Sequence, residues 1–396
     1  MKITNVDVMA LEKDMGCGGS RPIIVKIFTD EGIYGIGEAG VAIGCGSRGA
    51  FEVLKDFAPM IMGMDPLAHE VIWEKLFKAS FWAQGNGAIM MSAISAVDTA
   101  LWDIKGKAAN MPLYQLLGGK QRDKLRAYAS QLQFGWGVDS FNPADALSEP
   151  SQYAEAALKA KAQGYTAIKI NFLRFDRKGK ILSHLDTTGH LSRETMKIAE
   201  ERLKAVREAV GPDMDILIEN HAMTDANTAI QFAKMVEPYD IMFLEEGCTP
   251  LNPSVMRKIA ENTSIPLATG ERTYTRWGFL PFLENHSLSL IQPDIGNCGG
   301  ITEAKKICDL AHIFDVGVQM HVCSSPISVA IALHLEAAVP NFIIHEHHIA
   351  NTTSGTIAEC IYDYQPVDGY FTVPELPGIG QDISPEAIRK AEIVHF

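Results

Sequence analysis

The sequence has no CxxC pair, and its seven cysteines are scattered without regular spacing. An odd count without a framework excludes a disulfide-built scaffold and reads as reduced thiols in a cytosolic protein. No glycine-rich dinucleotide fingerprint follows a strand pattern and no GxxxxGK[ST] loop occurs, so Rossmann and P-loop readings are excluded. No run approaches about 18 uninterrupted apolar residues, which excludes a transmembrane helix. The opening Met1-Lys2-Ile3-Thr4-Asn5-Val6-Asp7 lacks the apolar core of a secretory signal. Positive charge is also in deficit, with 35 Lys plus Arg against 48 Asp plus Glu and a formal charge of −13. Such a surface repels phosphate backbones and anionic lipid, so neither nucleic acid nor membrane is expected as a partner. A soluble, cytoplasmic protein is expected.

What is present is ordinary globular composition, 47% apolar and 21% charged over 396 residues. That length accommodates two domains, or a large barrel with a smaller companion. Residues 23–28 and 34–38 read as strands around an Asp30-Glu31-Gly32 turn, and residues 50–117 carry helical spacing up to the Gly118-Gly119 stop. From residue 125 short apolar strands alternate with amphipathic helices. The strands fall at 125–129, 167–170, 215–219, 241–244, 266–269, 288–292, 317–320 and 342–345, with helices such as 192–210 and 302–314 between them. Alternation of this kind means βαβ units and a parallel sheet, and the strand count fits a closed barrel better than an open sheet. Segment 174–193 reads as a polar excursion, and the chain from 367 onward is expected to leave the barrel. The expected division is an α+β domain at 1–124, completed by 367–396, and a barrel at 125–366.

Acidic or imidazole side chains recur where those strands end: Glu219 and His221, Glu245, Glu271, Asp294, His321 and Glu346. In a parallel barrel the C-terminal strand ends converge on one site. Three carboxylates there, Glu219, Glu245 and Glu271, repel one another unless a cation neutralises them. Oxygen-only ligands favour a hard ion, Mg²⁺ above all, one per subunit. Glu246 adjoins Glu245, but neighbours on a strand face opposite ways, and Glu245 is taken as the ligand. Glu219 and His221 are two apart and share a face, as do Lys169 and Asn171. Asp294 is placed to orient His321 and raise its basicity. A hard cation with a His–Asp pair, a second His and a Lys suits proton abstraction beside a carboxylate, with the metal stabilising an ene-diolate.

Phe243-Leu244-Glu245-Glu246, Ala268-Thr269-Gly270-Glu271-Arg272, Ile291-Gln292-Pro293-Asp294 and Gly299-Gly300-Ile301-Thr302-Glu303 resemble the enolase superfamily in its mandelate racemase subgroup. The helix at 96–107 and the Pro112-Leu113-Tyr114-Gln115-Leu116-Leu117-Gly118-Gly119 string extend the likeness over nearly the whole chain. It is closest to the galactonate-type acid-sugar dehydratases. The resemblance implies a modified TIM barrel, (β/α)₇β, capped by an α+β domain made from both chain ends. It implies Mg²⁺ on Glu219, Glu245 and Glu271, with His321 and Asp294 as the base at C2 and His221 as the acid at the C3 hydroxyl. Lys169 and Glu346 are implied near the substrate carboxylate, with Asn171 and Arg272 also among substrate contacts. The implied reaction converts an aldonate or aldarate, galactonate- or gluconate/mannonate-like, to a 2-keto-3-deoxy acid in a homo-oligomer.

Three positions depart from the pattern. Glu219-Asn220-His221 stands where Asp-Phe-His is usual, Val322-Cys323-Ser324-Ser325-Pro326 follows His321 where Cys-Pro-Leu-Gly-Pro is frequent, and Asn171 replaces the second lysine of the racemases. Loss of that lysine removes the opposite-face base and favours dehydration. The alternatives are a hydroxy-acid racemase or epimerase using His221 as second base, and a slow sugar-acid-binding or regulatory homologue. Cap segments 13–22 and 41–48 are expected to set specificity.

Overall fold

The computed structural model describes residues 1–11, 21–139 and 146–396. Near its start the chain forms β1 (Ile3–Ala10), β2 (Ile23–Thr29) and β3 (Tyr34–Ala39), an antiparallel sheet joined on the far side of β1 by the last strand, β13 (Glu392–His395). Alternation along β2 divides its side chains. Ile23, Val25 and Ile27 pack under helices α1 (Ser47–Ile61), α2 (His69–Ala79) and α3 (Ala88–Ala109), while Ile24 packs toward the second unit. The helical stretch expected at 50–117 is thus divided. The breaks fall where Gly63 and Gly87 take left-handed backbone, which a continuous helix does not allow.

The second unit is a barrel of parallel strands: β4 (Lys124–Ser130), β5 (Ala167–Ile170), β6 (Asp215–Glu219), β7 (Ile241–Glu245), β8 (Leu267–Thr269), β9 (Leu290–Ile291), β10 (Gly317–Val318) and β11 (His345–His348). Helices α4 (Pro150–Ala162), α5 (Arg193–Val210), α6 (Ala226–Val236), α7 (Pro253–Ala260), α8 (Thr275–Glu284), α9 (Gly300–Ile313) and α10 (Pro326–Ala338) link them in turn. β11 pairs with β4, and Val318 bridges to Phe342, which closes the ring. No barrel helix follows β11 among the described residues, so the architecture is (β/α)₇β with a cap. Ile168, Ile170, Ile216, Ile218 and Leu244 face the helices, whereas Tyr128, Ala167, Leu217, Phe243, Ala268, Leu290 and Ile344 fill the barrel interior.

Cap and barrel meet along α3 and the start of α9. The Asp98 carboxylate accepts from Thr302 N at 2.9 Å and Thr302 Oγ1 at 2.6 Å, and Trp102 Nε1 donates to the same hydroxyl. Two of the segments that carried the family likeness therefore hold each other.

Two expectations are corrected. The last barrel strand does not end at 345: Phe342 bridges to Val318, but the run paired with β4 is His345–His348, so Glu346 lies inside the strand rather than beyond it. The tail does not leave the barrel at once either. β12 (Tyr370–Thr372) lies antiparallel on the start of β4, covering it before the chain returns to β1. Of segment 13–22 only Arg21 and Pro22 fall among the described residues.

Candidate active site at the barrel mouth

One residue further along the inward face of β5, β6, β7 and β11, the apolar floor gives way to Lys169, Glu219, Glu245 and Glu346, each about 1% exposed. The pleat puts them there. On β5, β6 and β7 their outward neighbours are isoleucines and a leucine that bury against the helices, so register there is set by the hydrophobic pattern, while on β11 Glu346 is flanked by the buried His345 and His347. Lys169 Nζ lies 2.8 Å from Glu245 Oε2, 2.9 Å from Glu346 Oε1 and 3.2 Å from Glu219 Oε2. Burial opposes the lysine's charge, and the carboxylates of Glu245, Glu346 and Glu219 overcome it and hold its pKa well above the usual value. Glu346 is further tied by Ser130 Oγ at 2.7 Å and Val322 N at 3.0 Å. Lys169 and Glu346 were expected at the substrate carboxylate. The structure shows their charged atoms 2.9 Å apart.

Glu271 completes a carboxylate triad: one oxygen each from Glu219, Glu245 and Glu271 lie within 4.8 Å of one another. It sits two residues past the end of β8, where the intervening Gly270 permits the approach, since a Cβ there would run into the backbone of Gln292. Burial and the neighbouring Glu219 push the Glu245 carboxyl up to about 8. Burial also opposes charge on Glu271, but His321 and Arg272 outweigh it and bring that carboxyl down to about 2. Glu245 Oε1 is buried without a hydrogen-bond partner among the described residues, and Glu219 Oε2 has none beyond its 3.2 Å ion pair with Lys169. Buried carboxylate oxygens rarely remain unsatisfied, and three hard-oxygen donors with such an atom among them fit a hard divalent cation.

His321 stands beside the triad. Its Nδ1 lies 2.7 Å from Asp294 Oδ2 and its Nε2 lies 3.2 Å from Glu271 Oε2. Burial lowers its basicity, but Glu271 and Asp294 outweigh that and raise its pKa well above the usual value. On the β6 side, His221 Nδ1 lies 3.1 Å from Asn171 Nδ2, and its Nε2 lies 3.2 Å from Gln131 Nε2. Asn171 Oδ1 accepts from Leu173 N at 3.0 Å and Gln131 Oε1 accepts from Gln133 Nε2, so an amide NH₂ faces each ring nitrogen of His221. Burial brings the His221 imidazole down to about 4, with Lys169 and Arg272 adding to the effect against the pull of Glu271.

His221 and Glu246 both have positive φ, 48° and 49°. Non-glycine residues held in that region cost free energy and cluster at functional sites. At Glu246 the left-handed turn ends the in–out alternation. Its carboxylate does not point outward but pairs with Arg272, which also meets Glu271. Arg272, expected among substrate contacts, is therefore engaged by two carboxylates, with its side chain 42% exposed. The reading of the sequence passed over Gln131, Gln292, Gln319, Cys323 and His348. Gln292 Nε2 donates at 2.6 Å to both Glu245 Oε2 and Gln319 Oε1. Cys323 contacts both His321 and His348, whose charges favour its thiolate against the opposing effect of burial. Four of these five stand two residues from Asp294, His321 or Glu346, so extending the two-residue spacing along each strand would have found them.

Comparison with known proteins agrees with this arrangement. Residues 152–387 match the family model for the enolase C-terminal domain-like fold, and residues 15–118 that for the mandelate racemase / muconate lactonizing enzyme N-terminal domain. The chain is 33% identical to the D-mannonate dehydratase of Novosphingobium aromaticivorans, over 98% of this chain and 95% of that protein. It is 32% identical to the D-galactonate dehydratase of Pectobacterium atrosepticum, over 98% and 94%. A crystal structure of an enolase superfamily member from Salmonella Typhimurium superposes with a TM-score of 0.96 at 51% identity, covering 100% of this chain and 99% of that one. With both domain models matched in order around one carboxylate-lined mouth, the chain belongs to the mandelate racemase / muconate lactonizing enzyme family of the enolase superfamily.

Proposed function

We propose that the protein is a Mg²⁺-dependent acid-sugar dehydratase that converts an aldonate or aldarate to its 2-keto-3-deoxy acid. The observation that carries this reading is the His321–Asp294 pair set against the Glu219–Glu245–Glu271 triad, with a second imidazole, His221, on the β6 side. The names of the mannonate and galactonate dehydratases support the substrate class. Glu219, Glu245 and Glu271 hold the cation, which supplies electrostatic stabilisation for charge that develops on the substrate carboxylate.

His321 takes the C2 proton at Nε2 while Asp294 fixes its tautomer through Nδ1. The electron pair left at C2 forms the C2–C3 double bond as the C3–O bond breaks. His221 gives a ring proton to the departing hydroxide, which leaves as water, and the enol tautomerises to the keto acid. Lys169 and Glu346 act below the reacting atoms, the lysine offsetting part of the charge of the buried carboxylates. Asn171 orients His221 in place of a second base. An epimerase would need His221 as the second base, and Asn171 stands where the racemases carry their second lysine. The test is a screen of aldonic and aldaric acids with Mg²⁺ for keto-acid formation. Deuterium entry at C2 without water loss would point to epimerisation. Tight binding of one acid with no turnover would point to a binding protein.

A further inference from the structure

The Asp294–His321 pair is tied to the cap through the turn that follows Asp294. Asp294 uses Oδ2 for His321 and Oδ1 for the backbone N–H of Gly296, at 2.7 Å in both cases. Asn297 N and Cys298 N also return to Asp294 O, at 3.0 and 2.7 Å, so residues 294–298 form one tight turn that fixes the carboxylate. That turn is clasped by the cap. Gly40 N donates to Gly296 O at 2.9 Å, and Asn297 Nδ2 donates to Gly40 O at 2.8 Å. Gly40 directly follows β3 and opens the cap loop 41–46, whose Ala42 O in turn receives Arg21 N at 3.0 Å.

There is no slack in the clasp. A Cβ on Gly40 would lie 2.9 Å from Asn297 Nδ2 and 3.0 Å from Asp294 Oδ1, and one on Gly296 would lie 2.9 Å from Gly40 Cα. Neither glycine has a positive φ. What requires glycine here is close approach, not backbone conformation. We propose that Gly40 and Asn297 are positioning residues for the Asp294–His321 pair, seating the cap loop 41–46 and the base in one register. The proposal rests on the reading of His321 as the base. Neither residue touches a metal-binding carboxylate, so a fault in the clasp should disturb the base and spare the cation site.

Gly40→Ala tests this in the full-length protein with Mg²⁺. The first readout needs no substrate: the Nδ1–H resonance of His321 in ¹⁵N-labelled protein, assigned by its loss in His321→Asn. It should shift or broaden in Gly40→Ala, while the affinity for Mg²⁺ measured by calorimetry stays within about threefold, because the carboxylates are untouched. The second readout is C2-proton exchange in D₂O, using the acid sugar turned over fastest in the screen. A displaced base should lower it by about 10- to 100-fold, with KM little changed. Asn297→Ala removes a hydrogen bond without adding a clash and should give a smaller effect of the same kind. It carries the test if Gly40→Ala does not fold. An unchanged resonance and exchange rate in the folded variants would overturn the proposal, as would joint loss of Mg²⁺ affinity and exchange. If instead His321→Asn retained exchange, the base assignment would fail, and the resonance alone would decide whether the clasp holds Asp294 in place.

Discussion

Lys169 Nζ lies 2.8 Å from Glu245 Oε2, so a buried ammonium shares an oxygen-lined chamber with the carboxylates that would hold a divalent ion. Removing one partner from a buried charge network costs about 3–5 kcal/mol, because the charges left behind are uncompensated. Lys169→Met is therefore expected to lower metal-free stability by about that amount. Mg²⁺ should then recover more stability in the variant than in the parent. Denaturant unfolding in chelator and in Mg²⁺ measures both, and an equal Mg²⁺ effect in the two proteins would show that Lys169 does not balance the triad.

Glu245→Gln should behave in the opposite way. A ligand that binds only the folded state at 100 times its Kd stabilises it by about 2.7 kcal/mol. Parent protein should gain melting temperature on that scale with Mg²⁺, and Glu245→Gln should gain none. A variant stabilised as much as the parent would mean that the cation is held elsewhere.

The two imidazoles are separable by isotope exchange. His321→Asn should stop both dehydration and exchange of the C2 proton. His221→Asn should keep exchange but lose dehydration by roughly 10²–10⁴-fold, since it removes the acid and not the base. Proton NMR in D₂O with a substrate from the screen reads both steps. The reverse pattern would exchange the roles, and loss of exchange in both would favour opposed bases and epimerisation.

Stability should fall on mild acidification through His334, which is remote from the triad. Its Nδ1 accepts from Tyr114 N at 3.3 Å and its Nε2 donates to Ile379 O at 3.2 Å, joining the end of the cap, α10 and the tail. Burial brings its pKa down from 6.5 to about 4. The unfolded chain thus binds a proton first, so this contribution is intact above pH 6.5 and is lost as pH falls toward 4. Between pH 7 and pH 5 the loss amounts to about 2 kcal/mol. His334→Gln should flatten that part of the profile, and an unchanged slope in urea unfolding would assign the pH dependence to other groups.

A homo-oligomer is expected in solution. Phe81 and Trp82 are 71% and 75% exposed between α2 and α3, and Phe81 holds φ at 67°, an uncommon conformation for so large a side chain. Exposed aromatics of this kind are enriched at interfaces. Light scattering that returns the 43.3 kDa monomer would end the idea, and Trp82→Ser should weaken an assembly built on this face.

Much of this protein was legible in one dimension because its determinants are local. Alternation along β5, β6 and β7 sets which residues face inward, and the pattern is visible in strings such as Ala167-Ile168-Lys169-Ile170-Asn171. The repeat of strand and helix implied that successive strand ends share one mouth, which brought Glu219, Glu245 and Glu271 into one group. Tertiary structure decided what no periodicity encodes. Lys169 faces the interior by sequence, but whether its charge meets a substrate or its neighbours depends on how far apart strands from distant parts of the chain stand. Glu246 escapes simple alternation through a left-handed turn at the strand end. The clasp between Gly40 and Gly296 joins residues more than half the chain apart, at a distance only glycine permits. Side-chain direction along a strand is a property of adjacent residues, whereas the partner each charge finds is a property of the closed barrel and its cap.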